Sequence, residues 1–80
     1  TGDKMNNTKT GKLIRQLRTE KKLTQKQLAE LIGVSDKAVS KWETGKGYPD
    51  ISLFSAIADV FGTDVRNLLT GNINKNEKIR

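Results

Sequence analysis

Between Ser35 and Lys46 the chain sets out Ser35, Asp36, Lys37, Ser40, Lys41, Thr44 and Lys46, hydroxyls and cations with Asp36 and Glu43 as the only acids. Two chemistries suit such a set: a Ser–Lys nucleophile, or donors arranged to meet a polyanion. Inventory favours the second. With 0 Cys and 0 His, thiolate nucleophiles, histidine bases, disulfides, and zinc and haem ligation are excluded. Lys plus Arg is 15 against 9 Asp plus Glu, a formal charge of +6, so a large acidic surface attracts this chain. No catalysis, no metal, no cofactor and no small-molecule ligand are expected.

Positioning those side chains falls to one small domain, because 80 residues leave no room for two. Hydrophobic residues are 34% of the chain, so the core must be economical and contiguous. The longest apolar run is Ala56-Ile57-Ala58, far short of the roughly 20 residues of a membrane span, and a soluble, cytoplasmic protein with no membrane partner is expected. Met5 reads as a native start, with Thr1 to Lys4 foreign to the natural chain. The expected organisation is a disordered or foreign segment 1–7, a folded domain 8–71, and a polar, Asn-rich tail or linker 72–80.

Apolar residues recur at helical spacing and never alternate over a strand's length, which predicts an all-α fold. A first helix is expected from about Lys9 to Lys21, capped by Thr8, with Leu13, Ile14 and Leu17 on its inner stripe. From Lys9 to Lys22 six cations face Glu20 alone. Thr24 and Gln27 have capping-box spacing and Leu23 and Leu28 staple spacing, so a second helix starts at Gln25, running to Gly33. Ser35 caps a third helix that Gly45 closes; Val34 and Val39 form its staple. Asp50 is expected to cap a fourth helix, about Ile51 to Phe61, and Asp64 a fifth that ends at Gly71.

From Leu28 onward, Ala29, Ile32, Gly33, Val34, Val39 and Trp42 follow the steric pattern of two helices locked across a short turn. These residues resemble the lambda-repressor-like, xenobiotic-response-element (Cro/C1-type) helix-turn-helix family, over about Lys9 to Leu69. The resemblance implies a compact five-helix DNA-binding domain with the helix-turn-helix at helices two and three. Its third helix, about 35–43, would enter the major groove of double-stranded DNA, while its second crosses the backbone. The function it implies is sequence-specific transcriptional regulation, with a repressor expected. Gln25 matches the glutamine at the start of helix two, which braces the recognition helix or touches DNA itself.

On the third helix Ser35, Asp36, Lys37, Ser40 and Lys41 lie away from the Val39 and Trp42 stripe and form the face that base edges would meet. Lys37 and Lys41 are the expected base readers, an ammonium suiting guanine N7 and O6. Asp36 either accepts from a cytosine amine or favours the helix N-terminus electrostatically. Thr44 and Lys46 match phosphate-contacting positions, helped by the backbone N–H groups of Gly45 to Gly47, and Arg15 and Lys12 are further phosphate ligands. Many relatives carry basic residues before Pro49, where this chain has Gly47 and Tyr48; Tyr48 either reaches a phosphate or packs.

The same resemblance pairs Arg18 with Glu43 and places Lys22 where relatives often have glycine. Trp42 is read as core rather than as a base-stacking residue. One such helix covers few base pairs, so a homodimer on half-sites about one turn apart is expected, with Val65, Leu69 and Ile73 as dimer contacts. The rival reading is a protein-interaction adaptor that keeps the helix-turn-helix shell and docks a partner around Leu31.

Overall fold

The computed structural model describes the backbone of residues 2–71 and the side chains of residues 9–71. Five α-helices follow one another: α1 (Gly2–Glu20), α2 (Gln25–Ile32), α3 (Asp36–Glu43), α4 (Phe54–Phe61) and α5 (Val65–Thr70), with a 3₁₀ turn, Ile51–Leu53, leading into α4. No strand occurs among the described residues. Helix α1 starts at Gly2, which corrects the expected start after Thr8. Nothing in Gly2 to Lys9 forbids a helix, since the one proline is Pro49, and the chain continues the helix instead of capping at Thr8. The expected tail 72–80, with Ile73, lies outside the described residues.

The two short helices of the motif are capped as their sequence demands. Thr24 Oγ1 accepts from the Gln27 N–H at 3.0 Å while the Gln27 carboxamide accepts from the Thr24 N–H at 2.8 Å, the reciprocal pair of a capping box. Gly33 then turns the chain at φ 79°, and its N–H donates to the Ala29 carbonyl. Ser35 Oγ accepts from the Ala38 N–H at 3.2 Å and opens α3 two residues later. Two expectations are modified downstream. Asp50 caps the 3₁₀ turn through the Ser52 N–H, so α4 proper begins at Phe54, not Ile51. The Ser52 hydroxyl and N–H together hold the Asp50 carboxyl below the usual carboxylate range. Asp64 has the extended backbone of an N-cap, yet its carboxylate makes no capping bond; nothing in the structure explains why.

One apolar cluster joins all five helices: Leu13, Ile14 and Leu17 from α1, Leu28, Ala29 and Ile32 from α2, Val39 and Trp42 from α3, Phe54, Ile57, Ala58 and Phe61 from α4, and Leu68 from α5. Two features of α1 hold it to its neighbours. Thr10, fully buried, donates its hydroxyl to the Leu68 carbonyl at 2.9 Å and ties α1 to α5. Gly11 lies against the end of α3, where a Cβ would come within 1.9 Å of the Trp42 carbonyl oxygen.

Lys22 has φ 60°, the only non-glycine residue in the left-handed region among those described. An L side chain there costs roughly 1 kcal/mol. Lys22→Gly is therefore expected to raise the melting temperature, by roughly 4–8 °C if the whole strain is relieved. A lowered melting temperature, followed by circular dichroism, would contradict the strain argument.

Candidate nucleic-acid interface

The outward face of α3 is built by exclusion. Val39 and Trp42 are buried in the core, which turns Asp36, Lys37, Ser40, Lys41 and Thr44 to the opposite side of an eight-residue helix. Asp36, Lys37, Lys41 and Thr44 are exposed and Ser40 is half-buried, leaving small side chains between two long cations one turn apart. Lys46 is exposed just beyond the helix end. Among the described residues the one ion pair is Arg18–Glu43, so the charges of Lys37, Lys41 and Lys46 are not neutralised by a neighbour.

That ion pair is where three elements converge. Arg18 grips Glu43 with two parallel bonds, Nε to Oε2 at 2.7 Å and Nη2 to Oε1 at 3.0 Å, and its remaining Nη1 donates to the Leu23 carbonyl at 2.7 Å. The hydrogen bonding that Arg18 donates to the Glu43 carboxylate holds its guanidinium above the ordinary pKa, against the opposing effect of burial. Gln25 Nε2 donates to Glu43 Oε1 at 3.0 Å. Of the two roles open to Gln25, the side chain takes the brace. Its carboxamide secures α2 to the far end of α3. The Gln25 and Lys26 N–H groups, the first two of α2, have no acceptor among the described residues.

Arg15 is exposed on the same stripe of α1 as Gly11 and Arg18, the two residues that meet the end of α3. The structure thus brings α1, the front of α2 and the end of α3 together at Glu43, with Arg15 exposed one turn back on the same stripe of α1, and Lys37, Lys41 and Lys46 exposed on α3 and just beyond it.

Geometry corrects part of the loop reading. The N–H groups of Gly45, Lys46 and Gly47 donate to Trp42 O at 3.3 Å, Lys41 O at 2.9 Å and Lys41 O at 3.1 Å, so they close the helix and are not available to phosphate. Thr44 donates its N–H to the Ser40 carbonyl at 3.1 Å, and its exposed hydroxyl lies 2.9 Å from the same carbonyl. Lys46 is left as the donor of this loop. Tyr48 sets its ring 5.6 Å from that of Phe54 while remaining 39% exposed. Sequence reasoning passed over Gly11 and Thr10. The signal for both was present: Thr10 lies three, four and seven residues before Leu13, Ile14 and Leu17, and an unforced glycine inside a helix marks a close approach.

An all-α domain with two short capped helices across a glycine turn, and a cationic outer face on the second, defines the helix-turn-helix class. The helix-turn-helix family model matches residues 14–68, and the chain belongs to that family, in its Cro/C1-type branch of transcription regulators. It is similar to the HTH-type transcriptional activator BcrR of Enterococcus faecalis, 50% identical over 58 residues that cover 72% of this chain and 28% of BcrR. It is also similar to multiprotein-bridging factor 1a of Arabidopsis thaliana, 37% identical over 59 residues, 74% of this chain and 42% of that one. This chain therefore spans less than half the length of either relative. Among solved structures, the restriction-modification controller protein C.AhdI of Aeromonas hydrophila superposes with a TM-score of 0.73 at 30% identity, over 80% of this chain and 97% of the controller.

Proposed function

We propose that this chain is a sequence-specific double-stranded DNA-binding domain of a transcriptional regulator, without catalysis, acting in the cytoplasm. The observation that carries this is the outer face of α3: Lys37 and Lys41 stand exposed and unneutralised on a helix whose opposite side is buried and whose end is braced through Glu43. In the proposed pose α3 lies in the major groove, where Lys37, Lys41, Ser40, Asp36 and Ser35 meet base edges. Phosphates are held by Arg15, Lys46 and the open N–H groups at the front of α2. A repressor role follows most simply, since occupying a promoter blocks it with no further surface, whereas activation needs a second contact. A homodimer gives the recognition length that a single α3 lacks, with Val65 and Leu69 of α5 as proposed contacts; Leu69 is exposed and Val65 half-buried.

The adaptor reading has one specific observation in its favour. Leu31 is 59% exposed on α2, and multiprotein-bridging factor 1a is among the relatives. Charge separates the two. Reversing Lys37 and Lys41 together (Lys37→Glu with Lys41→Glu) is expected to weaken binding to a selected duplex by at least about thirtyfold, roughly 2 kcal/mol, in a gel-shift titration. Unchanged affinity in a folded double variant would transfer the function to the Leu31 face.

A further inference from the structure

Gly47 stands where no backbone constraint asks for glycine, since its φ is not in the left-handed region. What it supplies is room. A Cβ there would lie 3.3 Å from Lys41 Cβ, 4.0 Å from Lys41 Cδ and 3.9 Å from Trp42 Cδ1, so the alkyl stem of Lys41 runs along the bare Gly47 backbone. The same backbone is fastened to Lys41 by the Gly47 N–H at 3.1 Å. A long lysine side chain loses much rotamer freedom when it is ordered on binding, and a stem already laid in a trough loses less. Lys41 is thus an aimed cation, whereas a cation meant for phosphate has no need of aim.

Spacing sets what two such cations read. Lys37 and Lys41 are four residues apart, about 6 Å along α3 at about 1.5 Å per residue. Base pairs rise by about 3.4 Å along the duplex axis. A helix in the major groove is inclined to that axis and its residues three to four apart meet successive bases, so the two ammonium groups fall on adjacent pairs. Guanine alone presents two adjacent acceptors, N7 and O6, to the major groove. Exposed Asp36 beside Lys37 disfavours a phosphate at this end of the helix and suits the amine of a cytosine. Resting on the DNA-binding reading above, we infer that each half-operator carries two adjacent G·C pairs, read by Lys37 and Lys41, and that Gly47 is the positioning residue that aims Lys41.

Selection of bound duplexes from a random pool at two salt concentrations tests this with the wild-type chain and the Lys37→Ala, Lys41→Ala and Gly47→Ala variants, each checked for folding by circular dichroism. The expected consensus has the two G·C pairs. Lys37→Ala flattens the preference at one and Lys41→Ala at the other, by about 5- to 150-fold each. Gly47→Ala flattens only the pair lost in Lys41→Ala, with the salt dependence unchanged. A consensus without G·C pairs at that spacing overturns the inference. So does a uniform loss on all duplexes with a salt slope reduced by about 1 in the lysine variants, the mark of phosphate contacts. A Gly47→Ala variant with undiminished preference at the Lys41 pair overturns the role of Gly47. If the folded wild-type chain retains no duplex at low salt, the DNA reading itself fails, an outcome distinct from a consensus of the wrong composition.

Discussion

Gly11→Ala is expected to destabilise the domain by about 3 kcal/mol, at the upper end of overpacking costs, and so to lower its melting temperature by more than about 10 °C. The sign is what makes the result informative. Gly11 lies inside α1, and in an exposed helix interior the same change stabilises by about 1 kcal/mol. Here the added methyl would sit 1.9 Å from the Trp42 carbonyl oxygen, 2.9 Å from its carbon and 3.2 Å from Glu43 Cα. All three are backbone atoms of the end of α3, so no side chain can rotate away, and α1 must move off α3 as a body. Thermal unfolding followed by circular dichroism decides the matter; a melting temperature above that of the parent would show that the two helices do not touch there.

The second large effect belongs to Glu43. Its side chain is only 3% exposed and that of Arg18 12%, so Glu43→Ala leaves a nearly buried guanidinium with no counter-charge and the Gln25 carboxamide with no acceptor. A loss of about 3–4 kcal/mol is expected in denaturant unfolding, with weaker DNA binding as the end of α3 loosens. Replacing both ends of the pair, Arg18→Met with Glu43→Leu, removes the orphaned charge and is expected to recover most of that stability. A double-mutant cycle gives the coupling directly. Additive losses would mean that the two side chains do not act as a pair.

Local chemistry made much of this fold legible. The Thr24 and Gln27 box, the Gly33 turn and the Ser35 cap are decided by a few neighbouring residues, and each is present; the left-handed Lys22 follows from the family resemblance. The Arg18–Glu43 pair, carried from the family resemblance, is also present. Features decided by distance across the core were less accessible. Gln25 reaches a partner 18 residues away, and its choice between bracing and touching DNA depends on where Glu43 lies in space. Thr44 and the Gly45–Gly47 N–H groups looked available because their commitment to the carbonyls of α3 follows from how the helix closes. Gly47 read as a missing cation in sequence and is a trough in three dimensions. The start of α1 was misplaced because a good cap at Thr8 does not oblige a helix to begin there.

Trp42 is the sole tryptophan of the chain and, at 5% exposure, turns its indole from α3 into the core while its carbonyl lies over Gly11. Its fluorescence is consequently a signal from the packed core beneath α3. Emission reddens when that core opens to water, so loss of structure can be followed optically without an added dye.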